Sequence, residues 1–154
     1  RFVPSAGRNL PVRAPQNLVY PCHFGGIGCG LGQALGASVA AESKVTVLVA
    51  GDGGFLLSGL GELATAVNQG QKLVVLVCND GSYGAEHIQL ANRKMSTDLS
   101  MISPPDFAAV AAAIGFTSLK VDSLQSLQQA CQAVSEIKGP VLVDIRLDPD
   151  KIEP

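Results

Sequence analysis

The sequence lacks the features of nucleic-acid-binding and membrane-spanning chains. Lysine and arginine number 11 against 13 aspartates and glutamates, for a formal net charge of −2, and the basic residues form no run. This balance argues against nucleic acid or an anionic membrane as a partner. No apolar run approaches the roughly 20 residues of a membrane-spanning helix. The chain begins Arg1-Phe2, with no methionine and no signal-peptide pattern, which predicts a fragment of a longer polypeptide or a processed chain.

Disulfide and zinc scaffolds are equally unsupported. The four cysteines, Cys22, Cys29, Cys78 and Cys131, form no CxxC pair and have no spacing typical of zinc ligands. Three of them lie in or beside apolar stretches. We therefore expect reduced, buried, structural thiols in a cytoplasmic protein.

Apolar residues, by contrast, make up 47% of the 154 residues, enough for one core in a single domain over residues 1–154. Alternating strands and helices predict an α/β fold, a three-layer αβα arrangement with a mostly parallel sheet. The first strand has no polar/apolar alternation, which is typical of a strand buried on both faces. Strands are predicted at residues 44–50, 72–78, 116–121 and 141–147, and helices at 31–43, 59–69, 106–114 and, after an N-cap at Ser123, up to 137. Residues 1–22 are predicted to be irregular, and residues 85–103 a short helix and a loop.

Two glycine-rich loops follow neighbouring predicted strands. GDGG occupies residues 51–54 and NDGSYG residues 79–84. Because parallel strands end at the same edge of a sheet, Asp52 and the Asn79-Asp80 pair are expected to converge. Carboxylate, amide and main-chain oxygens suit Mg²⁺ or Ca²⁺ rather than zinc, and glycine amides at a helix start suit phosphate. Each loop by itself is also typical of a tight strand–helix turn.

The two loops together are more specific, because GDG followed after 27 positions by Asn79 resembles the thiamine diphosphate (ThDP) binding motif. The segments GGIGCGLGQALGA and PVLVDIRLDPD resemble the glycine-rich turn and the last strand of the same enzymes. The whole chain resembles the C-terminal, diphosphate-binding domain of the acetolactate synthase, benzoylformate decarboxylase and pyruvate decarboxylase family. The resemblance implies the ThDP-binding αβα fold, with ThDP and Mg²⁺ as cofactors.

The resemblance also implies a set of metal ligands. Asp52 is the first, and the local match of NDGSYG makes Asp80 the second and the main-chain carbonyl of Ser82 the third. Counting from Asp52 instead favours Asn79 and the carbonyl of Gly81. We expect Asp80, with Asn79 as the alternative.

The remaining cofactor contacts are implied in the same way. Gly53 and Gly54 would donate amides to the diphosphate, with Tyr83 beside it, and Gly25 would offer its carbonyl to the aminopyrimidine. Ile27 matches the bulky residue that props the cofactor in a bent form, although it could also be the first core residue of the following helix. The full implied set is Gly25, Gly26, Ile27, Gly51, Asp52, Gly53, Gly54, Asp80, Ser82 and Tyr83.

No catalytic residue is expected in this chain. In the family the activating glutamate belongs to a separate pyrimidine-binding domain, and Glu42 and Glu62 are interpreted as solvated or structural. The implied function is a 2-oxo acid decarboxylase or carboligase, assembled as a homo-oligomer, with residues 27–41 packing partly on the pyrimidine-binding domain. The alternatives are a diphosphate-binding subunit of a two-chain ThDP enzyme and a non-catalytic module that binds nucleotide or assembles subunits. Glu86 and His87 are expected on an exposed helix face; a pocket-facing Glu86 would disfavour apolar substrates.

Overall fold

A computed structural model of the chain describes residues 2–21, 23–41, 44–136 and 138–151, without the side chains of residues 3, 4 and 23. At its centre is a sheet of four strands, which are β1 (Thr46–Gly51), β2 (Leu73–Asn79), β3 (Thr117–Val121) and β4 (Val141–Arg146). Their order in the sheet is β1-β2-β4-β3, and each neighbouring pair is parallel. The predicted α/β fold with a parallel sheet is confirmed.

Helices cover both faces of this sheet. The helices are α1 (Phe2–Asn9), α2 (Gly30–Ala40), α3 (Asp52–Leu56), α4 (Gly61–Asn68), α5 (Gly84–Asn92), α6 (Phe107–Ile114) and α7 (Leu124–Ser135). None of the helices in the described ranges is long and apolar enough to cross a membrane.

Two hydrophobic cores lie between the sheet and its helices. The larger core lies between one face and the helices α2, α4 and α6, and a smaller one lies under α7 on the other face. Between α3 and α6 the rings of Phe55 and Phe107 meet edge to face, with centroids 5.3 Å apart.

The helix ends follow the chemistry of their sequences. The Ser123 hydroxyl accepts a hydrogen bond from the Ser126 amide and caps α7 as predicted, and Asp106 caps α6. Helix α6 ends at Gly115, whose positive φ of 110° favours glycine. The expected helix ends at residues 43 and 137 lie outside the described residues.

Three expectations about the fold were wrong. Residues 2–9 form α1 although four prolines before residue 22 suggested an irregular segment. Strand β1 is only partly buried because it lies at the edge of the sheet and pairs with β2 alone among the described strands. Cys29 and Cys131 are exposed free thiols rather than buried ones, and Cys22 lies outside the described residues.

Cys78 comes closer to the expected buried thiol. It lies half-buried on β2, and burial raises its pKa to about 11, with the charges of Asp80 and Asp52 adding to the shift. A thiol with such a pKa stays protonated at neutral pH. Its expected structural role agrees with this environment.

Candidate functional site

The carboxylate of Asp52 joins the ends of β1 and β2. Asp52 is the first residue of α3, directly after β1, and only 1% of it is exposed. Its Oδ1 accepts a hydrogen bond from the Gly53 amide at 3.0 Å, and its Oδ2 accepts one from the Gly81 amide at 2.7 Å. Since Gly51 pairs with Cys78 in the parallel register, both loops leave the sheet at the same edge.

A second buried carboxylate, that of Asp80, lies close to Asp52. Its Oδ1 accepts hydrogen bonds from the amide and the hydroxyl of Ser82, at 3.0 and 2.8 Å. Burial raises the pKa of Asp52, and the negative charge of Asp80 raises it further, against the lowering effect of the Gly53 and Gly81 amides. The two carboxylates therefore repel each other, and a cation bound between them would offset this repulsion.

The donor set at this edge is short of protein side chains. Within the described ranges, no three or more His, Cys, Asp or Glu side chains are grouped so that they could hold a metal ion. A cation here would complete its shell with main-chain oxygens, water or oxygens of a ligand. This is the manner in which Mg²⁺ is commonly held beside phosphates.

Asn79, the alternative metal ligand, directs its amide to a different partner. Its Nδ2 donates to Oδ1 of Asp144 at 2.9 Å, and Oδ2 of Asp144 lies 2.8 Å from a guanidinium nitrogen of Arg146. Asp144 is fully buried on β4. The Gly81 carbonyl, the alternative third ligand, accepts the Ile102 amide at 2.8 Å. The amide nitrogen of Asn79 and the carbonyl of Gly81 thus each have a partner within the protein.

Tyr83 packs its ring directly on the GDGG segment. A Cβ placed on Gly53 would lie 2.7 Å from Cε1 of Tyr83, so a larger residue at position 53 would displace the ring. Gly54 faces the glycine-rich turn instead, since its Cβ would lie 3.3 Å from Cγ2 of Ile27. The glycine at each position allows a close approach of another loop.

The glycine-rich turn therefore reaches the same edge through Ile27. The side chain of Ile27 is 60% exposed, which disagrees with a place in the core under α2. Gly25 and Gly26 lie on the exposed part of the turn, and nothing lies within 4 Å of a Cβ placed on Gly25. Gly51 ends β1 beside the ring of Phe2. The structure thus brings Ile27, GDGG and the NDGSYG loop together.

The sequence contained no local signal for the segment that covers the NDGSYG loop. We call residues 80–83 the site loop and residues 98–102 the docking segment. The Tyr83 amide donates to the Ser100 carbonyl at 2.8 Å, and the Ile102 amide donates to the Gly81 carbonyl. Ser82 and Met101 form an isolated antiparallel bridge.

The expectation of an exposed helix face on α5 was right for Glu86 and wrong for His87. Glu86 is exposed and lies at the rim of a hollow of about 300 Å³ that Tyr83 and Arg93 also line. His87 is only 4% exposed. Glu62 is half-buried on α4, and Glu42 lies outside the described residues.

Fold and site together define an α/β ligand-binding domain whose candidate site lies at the carboxyl edge of a parallel sheet. The comparison with known families agrees with this class. The chain belongs to the family described as "Thiamine pyrophosphate enzyme, C-terminal TPP binding domain", whose model matches residues 3–145. The resemblance inferred from the motifs is thereby confirmed.

Individual relatives belong to acetolactate synthase-type and decarboxylase-type enzymes. A protein of Mycobacterium tuberculosis assigned as an acetolactate synthase large subunit, IlvB2, is 33% identical over 147 residues, which cover 96% of this chain and 26% of that protein. A Pseudomonas aeruginosa protein assigned as a 2-ketoarginine decarboxylase, AruI, is 30% identical over 139 residues, covering 87% and 24%. The chain spans about a quarter of the length of these relatives.

A solved structure shares the fold. The thiamine diphosphate-dependent 4-hydroxybenzoylformate decarboxylase of Rhodococcus jostii RHA1 superposes with a TM-score of 0.73 at 24% identity. The match covers 81% of this chain and 24% of that one. At this identity the match shows the fold, which agrees with the family to which the chain belongs.

Proposed function

We propose that the chain binds the Mg²⁺-diphosphate end of ThDP within an enzyme that decarboxylates or joins 2-oxo acids. The observation that carries the proposal is the meeting of two buried carboxylates at one sheet edge. The Gly81 amide holds Asp52 to the site loop, and Asp80 lies in the same loop. Two negative charges so placed match the charge of one Mg²⁺.

The oxygen-rich donor set supports an assignment of residues to each part of the cofactor. Asp52, Asp80 and the Ser82 carbonyl would hold Mg²⁺, which prefers oxygen ligands and keeps phosphate oxygens in its shell. The Gly54 amide would face the diphosphate, and the Gly53 amide would do so after it leaves Oδ1 of Asp52. Tyr83 would lie beside the diphosphate. When bound, ThDP supplies an electron sink for the carbon–carbon bond chemistry of a 2-oxo acid.

The exposed turn would hold the other end of the cofactor. Ile27 stands over Gly54 and is exposed, as a residue that contacts a ligand rather than the core would be. We expect it to press against the cofactor between its two rings. The exposed Gly25 and Gly26 would let the main chain approach the aminopyrimidine.

The surface around this turn supports the need for another domain. Exposed apolar side chains surround the glycine-rich turn and the end of α3, and such patches mark contact surfaces. We expect a pyrimidine-binding domain of the same or another chain to cover it and to supply the activating glutamate. The chain would then form one domain of a larger, cytoplasmic, homo-oligomeric enzyme. The exposed apolar residues of the surface to be covered are Phe24, Ile27, Leu56, Leu57 and Leu60.

Calorimetric titration of ThDP in the presence of Mg²⁺ tests the proposal in the intact, assembled protein. Asp52→Ala should abolish Mg²⁺-dependent binding, because it removes a ligand and the anchor of the Gly81 amide together. Glu136→Ala, which removes an exposed carboxylate at the end of α7, is the matched control and should bind as the unaltered protein does. Unchanged affinity in Asp52→Ala would refute the assignment.

A further inference from the structure

We propose that His87 is a positioning residue of the Mg²⁺–ThDP site, because it locks the docking segment onto the site loop. The inference rests on the proposed function for the identity of the ligand. It does not rest on the proposed function for the contacts themselves. No side-chain atom of His87 needs to touch the cofactor for this role.

The docking segment has one partly buried apolar side chain, that of Ile102, which lies beside Gly53. Leu99 is 96% exposed and Met101 is exposed as well, whereas Ser100 is buried. Two main-chain hydrogen bonds join the segment to the site loop, one from the Tyr83 amide and one to the Gly81 carbonyl. The buried Ser100 side chain is a further anchor, and it is the one that joins the segment to α5.

His87 holds that anchor from inside the protein. Its Nδ1 lies 3.0 Å from Oγ of Ser100, and its Nε2 lies 3.0 Å from Oδ1 of Asp150. The Ser100 hydroxyl also lies 2.6 Å from the Thr97 carbonyl, another hydrogen-bond partner. Because a carboxylate only accepts, Nε2 of the imidazole donates to Asp150, and Nδ1 forms the second hydrogen bond with the Ser100 hydroxyl.

The imidazole consequently links three parts of the chain. It belongs to α5, which begins directly after the site loop; it binds the docking segment through Ser100; and it binds the turn after β4 through Asp150. If the contact with Ser100 is lost, the docking segment is held less firmly, and its hydrogen bonds with the Tyr83 amide and the Gly81 carbonyl open more often. The site loop would then have to be ordered again each time the cofactor binds, which lowers affinity.

The two ring nitrogens can be tested separately in the intact protein. His87→Asn places a donor near the position of Nδ1 and should keep the Ser100 contact, whereas His87→Gln places one near Nε2 and should keep only the Asp150 contact. His87→Leu removes both. Ser38→Ala is the control, since Ser38 is buried and hydrogen-bonded to the Leu35 carbonyl and the Gln71 side chain, away from the site.

Amide hydrogen exchange of Tyr83 and Ile102 is the direct measurement. Both amides should exchange about tenfold faster in His87→Leu and His87→Gln, the effect of losing one net hydrogen bond, and at nearly the original rate in His87→Asn. The amides of β2 should keep their protection in all three variants. The dissociation constant of ThDP, titrated with Mg²⁺ present, should rise about tenfold in the same two variants only.

A purely structural role has a different signature. In that case all three His87 variants would have lower melting temperatures, as Ser38→Ala would through its own lost hydrogen bonds. The exchange rates of the Tyr83 and Ile102 amides would then either stay unchanged or rise together with those of β2. Either pattern of exchange would overturn the proposal. Unaltered ThDP affinity in His87→Leu would also overturn it. Failure of the unaltered protein to bind ThDP with Mg²⁺ would instead refute the proposed function, and amide exchange would still decide whether His87 locks the docking segment.

Discussion

Asp52 is the residue at which stability and the proposed function are opposed. Its pKa is raised, chiefly by burial and further by Asp80, so the folded state favours the protonated form. The ionised carboxylate therefore costs stability as the pH rises from the ordinary value of 3.8 towards the raised pKa, and this cost remains at neutral pH. A bound cation would offset that cost, which accounts for two buried carboxylates at one edge.

Substitutions at Asp80 and Asn79 should show which of the two residues binds the metal. Asp80→Asn keeps an acceptor for Ser82 but removes a charge, so Mg²⁺ affinity should fall about 10–100-fold without loss of stability in the metal-free protein. Asn79→Ala removes the donor to Asp144 and should lower the free energy of unfolding by about 1–3 kcal/mol, with Mg²⁺ affinity nearly unchanged. Calorimetry and denaturant unfolding measure the two effects, and the opposite pattern would make Asn79 the ligand.

A substitution at Ile27 likewise shows whether its side chain contacts the cofactor or packs in the core. Because its side chain is 60% exposed, Ile27→Ala should leave the melting temperature of the cofactor-free protein nearly unchanged. It should weaken ThDP binding and slow the exchange of the cofactor C2 proton in the assembled enzyme. Leu31→Ala, four residues along and 1% exposed, is the packing control and should cost about 2–5 kcal/mol. A collapse of stability in Ile27→Ala, with fast C2 exchange in the folded fraction, would make Ile27 a core residue.

Among the elements, α6 depends on a single capping side chain. Oδ1 of Asp106 accepts the Ala109 amide at 3.0 Å, and Lys120 on β3 lies 3.5 Å from its other oxygen. The helix carries Phe107 into the core against Phe55 of α3, the helix that begins with Asp52. The cap therefore supports the element on which the candidate site is built.

Removal of this cap should have a pH-dependent cost. The Ala109 amide, and after it Lys120, lower the pKa of Asp106 below 3.8. The stabilisation is therefore complete above the ordinary pKa and is lost as the pH falls through the lowered one. Asp106→Ala should reduce the free energy of unfolding by about 1 kcal/mol at neutral pH and by less in acid. Asp106→Asn keeps a capping oxygen and is the control. A cost for Asp106→Ala that is the same at both pH values would exclude the charged cap.

The regular elements were predictable because their signals are local. The β-branched run before GDGG and the apolar run before NDGSYG became β1 and β2, with loops at one edge as a parallel sheet requires. Helix α1 was missed because prolines and glycine dominated the composition, although a proline in the first turn of a helix lacks only an amide that would be unpaired there. The partial exposure of β1 follows from its edge position, which a strand's own sequence does not specify.

Across the whole molecule, the missed features are contacts between distant residues. Asn79 and Asp144 are 65 residues apart, and His87 and Asp150 are 63 apart, so no periodicity or short motif joins them. The motif match gave Asp52 and Asp80 as a pair, but the partner of Asn79 and the burial of His87 required the fold. The exposed apolar residues around the glycine-rich turn also belong to the whole-molecule scale, because their exposure follows from the fold and not from a local motif.

The position of Mn²⁺, substituted for Mg²⁺ in crystals of the intact protein grown with ThDP, tests the central claim most directly. Mn²⁺ accepts the same oxygen ligands and can be located by its anomalous scattering. We predict one peak within about 2.1–2.3 Å of carboxylate oxygens of both Asp52 and Asp80 and of the Ser82 carbonyl, with the remaining ligands from diphosphate and water. A peak coordinated by the side chain of Asn79, or one that touches neither Asp52 nor Asp80, would contradict the account.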